Sequence, residues 1–356
     1  MVFQRQSALI CVRIIPCWAL KLQLDCMNRE VLMNSNDPIL KYLHQQRGSY
    51  ISGSELASWL GISRVAVWKR IEVLKKAGYE ISARQGRGYC IEPGSSFFSP
   101  PEVADRLRTT WLGREIQFFP SLDSTNEELK RLLRLGQASE GLVIAAGRQQ
   151  RGKGRRGRSW ESPAGGLWFS LYLSLHLPLQ QLALLSLVFA VALTRALNNF
   201  LPVPCGVKWP NDLYCQERKI AGILLESSGE LGGVQQLVVG VGINVNVAAD
   251  DFSNDIRPNS TSLLLESGQV LAVEDVLIGA LESMELYLRR YLQEGLVGIR
   301  EEFKELCVHL GREIEICRGA EKVRGKNIDI DELGQLVIEQ QGRLVKIGTG
   351  EVQTIV

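Results

Sequence analysis

The stretch QQRGKGRRGRSW, residues 149–160, holds five Lys or Arg and three Gly in twelve positions. Cations at this density suit nucleic acid, a nucleotide or a smaller anion. Gly152, Gly154 and Gly157 also spell G-x-G-x-x-G, the spacing of a dinucleotide-binding turn, which must follow a strand and open a helix. LVIAAG before the loop reads as the strand. RSWESPAGGLW after it contains Pro163 and a Gly pair and then runs into another strand, so the dinucleotide reading fails on context. Two readings remain. Lys153, Arg155, Arg156 and Arg158 could neutralise nucleic-acid phosphates, although the loop lies inside an α/β segment. Alternatively, glycines let backbone N–H groups approach a single anion while arginines grip it bidentately. The like charges of such a loop predict mobility until a ligand arrives.

Its company favours the anion. KWPNDL (208–213) sets Lys208, Asn211 and Asp212 around a Pro-fixed turn, and ERKIAGIL adds Lys219. LDSTN supplies Ser124, Thr125 and Asn126. Each is weak alone, since Asn-Asp is a common turn and Lys219 could be a surface residue. Together they suggest a nucleoside triphosphate and a small substrate, with Trp160 suited to cover an aromatic or apolar ligand.

The chain that must position these groups has 356 residues, enough for two or three domains. Hydrophobic residues are 45% and charged residues 22%, as in soluble globular proteins. The net charge of +2 gives no global polyanion signal, so a basic site must be local. Eight Cys without C-x-x-C pairs and three His give no protein metal motif. Cys205, Cys215 and Cys307 read as core or surface thiols.

From 107 to about 303, strands and helices alternate. IQFFPSLDS, LVIAAG, LWFSLYLSL, VKWPNDLYCQERKIAGILLES and LVVGVGINVNV are strand-like, and STNEELKRLLRLG is a capped helix. LALLSLVFAVALTRALNNFL includes Thr194, Arg195, Asn198 and Asn199, which argues for a core helix rather than a membrane span. Helices at about 273–292 and 298–307 close the unit, and the last ~46 residues read as short Gly-broken strands of a small SH3-like barrel.

Before this unit, residues 38–79 carry helical periodicity. Ser52 with Glu55 has capping-box spacing, Gly61 makes a turn, and Ser63 caps a helix burying Val67, Ile71 and Leu74. That is a helix-turn-helix, with Ser63, Arg64, Trp68, Lys69 and Arg70 on or near the exposed half of the second helix. YEISARQGRGYCIEP follows as a wing, where Arg84 and Arg87 can reach phosphates. The plainer alternative is a basic protein-interaction module. PGSSFFSPPEVADRL reads as a linker. Residues 1–34, broken by Arg13, Pro16 and Lys21, read as a disordered or mis-started extension with Met27 or Met33 as the start. No clear signal-peptide cleavage site follows Arg5, and the DNA-binding pattern that comes next would be out of place in a secreted protein, which points to the cytoplasm.

The combination of LDSTN, QQ-x-G-K-G-R-R-G-R-x-W, KWPNDL with RKIAGIL, and VGVGINVN resembles the biotin protein ligases over about residues 36–356. The added winged helix makes it similar to the bifunctional type, which also represses biotin biosynthesis genes. The family's loop more often has Arg where this chain has Lys153, which keeps the charge but loses the planar fork. The resemblance implies an α/β (α+β) multidomain fold. Its parts are a winged helix-turn-helix (35–95), a class II synthetase-like ligase domain (105–307) and an SH3-like domain (310–356).

It further implies that ATP, Mg²⁺ and biotin give biotinyl-5′-AMP, and that biotin then passes to one lysine of the biotin carboxyl carrier protein of acetyl-CoA carboxylase. By the same resemblance, Ser124, Thr125, Asn126, Gln149, Lys153, Gly154, Arg155 and Lys219 serve biotin. Arg156, Arg158, Trp160, Lys208, Asn211 and Asn244 serve the adenylate. Lys208, Arg155 and Asp212 are the catalytic candidates. Operator DNA of biotin genes and a ligand-induced homodimer are the remaining expected partners. Lipoate attachment and a DNA-binding regulator with a degenerate ligase domain are the alternatives, and KWPNDL beside the Arg-rich loop favours biotin.

Overall fold

A computed structural model describes residues 37–355 apart from 47, 77, 78, 80, 92–97, 232, 233 and 320. The extension expected at 1–34, with its start at Met27 or Met33, lies outside the described residues.

Three capped helices come first. α1 (Pro38–Gln45) begins on Asp37, whose carboxylate accepts from the Ile39 N–H at 2.8 Å. α2 (Gly53–Leu60) begins on Ser52, which accepts from the Glu55 N–H at 3.1 Å. The expected capping box closes on that side alone, because the Glu55 carboxylate is taken by the Tyr42 hydroxyl at 3.0 Å. Gly61, at φ 66°, ends α2 in left-handed backbone. α3 (Arg64–Lys76) is capped by Ser63, which accepts from the Ala66 N–H at 3.2 Å, and it buries Val67, Ile71 and Leu74. Strands β1 (Ser82–Arg84) and β2 (Gly88–Cys90) pair antiparallel as the wing. Gly88 is required there: its φ is 110°, and a Cβ would meet the Ile51 carbonyl oxygen at 2.0 Å.

The expected linker ends sooner than its composition suggests. α4 (Pro100–Arg106) is a helix capped by Ser99, which accepts from the Glu102 N–H at 3.4 Å. Pro100 and Pro101 occupy its first positions, where no N–H is needed, so the two prolines mark a helix start.

The central unit then runs β3 (Ile116–Phe119), α5 (Thr125–Arg134), β4 (Val143–Ala146), β5 (Leu167–Leu175), α6 (Leu179–Leu197), β6 (Gly206–Lys208), β7 (Asp212–Cys215), β8 (Arg218–Leu231), β9 (Val234–Ile243), α7 (Leu263–Ser267), α8 (Val273–Glu294) and α9 (Val297–Leu306). The sheet order is β3-β4-β5-β9-β8-β7-β6, parallel at β3–β4 and antiparallel elsewhere. Along β5, Phe169, Leu171 and Leu173 join the core that holds α6 and α8, while Tyr172 joins the cluster under α5. The sheet is therefore covered on both faces, which explains an almost unbroken apolar strand. α6 is long and apolar enough to cross a bilayer, but Leu185 and Leu187–Leu193 are buried against this core.

A buried carboxylate ties the two ends of this unit. Glu285 on α8 accepts from the N–H groups of Thr110, Trp111 and Leu112 at 2.8–3.1 Å and pairs with Arg289 at 2.8 Å. Burial pushes its carboxyl up, but these hydrogen bonds outweigh that and hold it below the ordinary range. Glu285→Ala should cost about 3 kcal/mol, because it leaves buried donors unpaired. A group with a lowered folded-state pKa stabilises above its unfolded pKa, and that stability is lost as pH falls through the folded value. Urea melts should therefore show the difference between wild type and Glu285→Ala at pH 7, shrinking as the medium becomes strongly acidic.

The last strands, β10 (Glu313–Arg318), β11 (Glu321–Ile330), β12 (Leu336–Gln340), β13 (Arg343–Ile347) and β14 (Glu351–Ile355), form an antiparallel sheet in the order β13-β12-β11-β10-β14.

Candidate active site

Except for Arg156, every residue expected to serve biotin, the adenylate or catalysis lines one cleft of about 980 Å³. Arg156 is exposed at the tip of the basic loop, in left-handed backbone at φ 55°.

The floor of the cleft depends on strand glycines. Gly222 on β8 faces Gly242 on β9, and Trp160 lies on both. A Cβ at Gly222 would meet the indole at 2.9 Å, and one at Gly242 would meet it at 2.6 Å. Gly240, two residues before Gly242 and on the same face, leaves room for Asn126, whose Oδ1 lies 2.2 Å from where its Cβ would be.

The start of α5 supplies the uncharged end. Ser124 makes no side-chain cap; the Gln149 amide oxygen instead accepts from the Thr125 N–H at 2.8 Å. Gln149 Nε2 donates to Ser162 Oγ at 2.8 Å, so this side chain braces the loop against the helix. Asn126 Nδ2 donates to Glu226 at 2.6 Å, and Ser170 Oγ lies 2.5 Å from Asn126 Oδ1.

The basic loop is folded as a small hairpin. Gly154 N–H donates to the Arg158 carbonyl at 2.7 Å, Trp160 N–H donates to the Gly152 carbonyl at 2.9 Å, and Lys153 bridges Ser159. The charge repulsion that predicted a free loop is met by partners on three elements. Lys153 pairs with Glu127 of α5 at 2.6 Å, Arg155 donates to Asn211 Oδ1 at 2.6 Å, and Arg158 pairs with Glu351 of β14. The Lys153 contact is a single point-charge pair, which needs no guanidinium fork.

Opposite the loop, the β6–β7 turn carries Lys208, Asn211 and Asp212, with a cis Trp209–Pro210 peptide between them. Asn211 is fixed by donating to the Ile223 carbonyl at 2.7 Å. Asp212 pairs with Lys219 at 2.7 Å, and the Lys219 ammonium stands 4.9 Å over the Trp160 ring. Lys208 differs from these cations. Among the described residues it has no carboxylate in ion-pair reach, and its ammonium rests 4.5 Å over the Tyr214 ring. Burial lowers its pKa, against the attraction of Asp212, and burial likewise lowers that of Arg155. Asn244 closes the far side, donating to the Thr261 carbonyl at 2.8 Å.

A half-buried cation with no carboxylate in contact, in one cleft with a polar, uncharged pocket, is equipped to receive an anion bound next to a small molecule. The biotin/lipoate A/B protein ligase family model matches residues 118–244, an HTH model matches 37–90, and the biotin protein ligase C-terminal model matches 309–354. The bifunctional ligase/repressor BirA of Bacillus spizizenii is 33% identical over 87% of this chain and 96% of its own length. The chain belongs to the bifunctional ligase/repressor family of biotin protein ligases. BirA of Escherichia coli is 32% identical over 86% of this chain and 93% of its own length. Among solved structures, the biotin protein ligase from Aquifex aeolicus in complex with biotin and ATP has a TM-score of 0.60 at 30% identity. It covers 67% of this chain and 98% of its own.

This ligase carries an HTH unit, and there the expected DNA-facing groups divide. Ser63, Arg64, Trp68 and Lys69 are exposed along the start of α3, and Arg84 stacks on Tyr50 at 4.8 Å. Arg87 lies in the turn of the wing. Arg70 differs: its Nε pairs at 2.5 Å with the buried carboxylate of Asp37, so it ties α3 to the cap of α1. Sequence reasoning missed several cleft residues of this ligase. Gly222, Gly240 and Gly242 were legible as strand glycines two residues apart or cross-strand. Glu351 and Gln353 of β14 had no local signal, because they reach the cleft only through the packing of the last strands.

Proposed function

We propose that this cleft joins biotin to ATP and then delivers biotin to a carrier lysine. The observation that carries the reading is Lys208, a half-buried cation with no carboxylate in contact, lining the same cleft as Arg155 and the Ser124–Asn126 pocket. In the first step a biotin carboxylate oxygen attacks the α-phosphorus of ATP, and the bond to pyrophosphate breaks. Mg²⁺, held by the nucleotide's own phosphates, would offset their charge; among the described residues no cluster of His, Cys, Asp and Glu could hold it alone. Lys208 and Arg155 stabilise the charge that builds on the phosphate and leaving oxygens. Ser124, Thr125 and Asn126 hold the ureido ring, Trp160 and Asn244 flank the adenylate, and the Asp212–Lys219 pair orients the bound ligand. In the second step the amine of the carrier lysine attacks the biotinyl carbonyl, AMP leaves, and the nitrogen loses a proton. The chain divides as 35–95, 105–307 and 310–356 for these tasks and works in the cytoplasm. Incubation with ATP, biotin and the apo carrier domain, followed by a streptavidin blot, should label the carrier. Labelling with lipoate in place of biotin would assign the cleft to the other branch of the family.

The HTH unit carries the second activity, repression at the operator of biotin genes by a dimer that forms when the adenylate is bound. Arg64 and Lys69 are exposed on α3 and, among the described residues, make no ion pair, so both are free to meet phosphates. Arg64→Ala and Lys69→Ala should each weaken binding to all sequences and reduce the salt slope by about 1. Gel shifts at several salt concentrations, with biotin and ATP present, measure this; an unchanged slope in both variants would remove them from the interface.

A further inference from the structure

The turn that presents Lys208 is held from outside its own hairpin. Residues 307–309 extend the sheet edge: Val207 bridges Cys307 in parallel, and Val308 N–H donates to the Val207 carbonyl at 3.1 Å. In a parallel ladder the next rung would join the Trp209 N–H to a main-chain carbonyl. Here the Trp209 N–H instead donates to His309 Nε2 at 3.1 Å, and both residues are buried. The Trp209 indole N–H donates to the Gly334 carbonyl at 2.9 Å, so both bonds run from the β6–β7 turn to the C-terminal segment.

The chemistry of the imidazole follows from that bond. Because Nε2 accepts, a neutral His309 carries its proton on Nδ1. Nδ1 faces the fully buried Asn327 amide at 2.9 Å. With its nitrogen toward Nδ1 the Asn327 amide leaves its oxygen without a donor, and turning the amide gives that oxygen the Nδ1 proton. Burial, with Lys208 and Arg312 nearby, lowers the His309 pKa to about 4, so the ring stays neutral and Nε2 stays an acceptor near pH 7.

We propose that His309 is a positioning residue, which grips the Trp209 amide and thereby fixes Lys208 at the reacting phosphate. The inference rests on the ligase reading of the cleft. Through this bond the C-terminal segment, which places no carboxylate in ion-pair reach of Lys208 among the described residues, acts on the chemical step by way of the main chain of the β6–β7 turn.

The test is single-turnover formation of biotinyl-adenylate by the full chain, alongside the biotin Kd and the melting temperature. His309→Leu should slow the step by about 10–100-fold, the scale of a small misplacement, with biotin affinity little changed. His309→Gln, whose amide oxygen can accept the same N–H, should recover most of the rate. A His309→Leu rate equal to wild type overturns the role, and so does a loss shared equally by affinity and rate, or a His309→Gln variant no better than His309→Leu.

If His309→Leu does not fold, Asn327→Asp decides. A carboxylate at Nδ1, set against Lys208, Arg312 and the Cys307 thiol, raises the imidazole pKa toward neutrality, and a doubly protonated ring cannot accept from Trp209. That variant should lose rate below neutral pH where wild type is level; parallel pH profiles overturn the inference. A wild-type chain that makes no adenylate at all instead removes the ligase reading, and this inference with it.

Discussion

Lys208→Ala leaves biotin binding measurable and slows biotinyl-adenylate formation by about 10²–10³-fold, the loss expected when one preorganised charge-stabilising donor is removed. The reason is its isolation. Asp212 is spent on Lys219 at 2.7 Å, and Glu351 is spent on Arg158, so neither neutralises the Lys208 ammonium at contact range. Its neighbour is the Tyr214 ring, whose phenol burial pushes up to about 12, so a neutral hydroxyl stands there instead of an anion. The charge is thus held ready for a phosphate. Biotin itself meets Ser124, Thr125 and Asn126, on the α5 side of the cleft, so its affinity should survive. Because burial lowers the Lys208 pKa, the cation is lost as pH rises through a value below the ordinary lysine range, and the wild-type rate should fall on that alkaline limb. Rapid-quench measurement of pyrophosphate release reads both effects. Release at the wild-type rate in Lys208→Ala would sink the role.

Arg155→Gly acts on retention of the intermediate. Arg155 bonds to Asn211 at 2.6 Å and so latches the loop to the turn that carries Lys208. Charge-assisted bonds of this kind contribute about 1.5–3 kcal/mol, so the adenylate should escape about 10–100-fold faster. Lys153–Glu127 and Arg158–Glu351 are exposed pairs and hold the loop only weakly in its place. Free biotinyl-adenylate acylates exposed amines at random. A mixture of carrier and bystander proteins should therefore be labelled throughout by Arg155→Gly and only on the carrier by wild type. Labelling that stays on the carrier in the variant would show that the loop is not the lid.

Much of this arrangement was legible because its signals are local. Ser and Gly at helix ends mark α2 and α3 within a few residues, and the loop between two strands betrays itself by lacking a following helix. KWPNDL is one turn of a hairpin, so its Lys, Asn and Asp must share a neighbourhood. What stayed hidden depends on pairings across long stretches of chain. Arg70 reads as a DNA-facing cation until Asp37 is placed beside it, and the Glu285 carboxylate meets backbone groups 173–175 residues away. The loop looks self-repelling until Glu127, Asn211 and Glu351 are brought to it. His309 has no motif at all. Its role arises because a buried edge-strand N–H must find an acceptor, and an imidazole from another segment supplies it.

The most direct test of the central claim is biotin-dependent exchange of labelled pyrophosphate into ATP, which reports reversible adenylate formation without any carrier. The cleft described here predicts exchange that needs Mg²⁺, appears when biotin is added, is absent with lipoate, and is slowed about 10²–10³-fold in Lys208→Ala. Absence of exchange from the wild-type chain, or exchange indifferent to biotin, would contradict it.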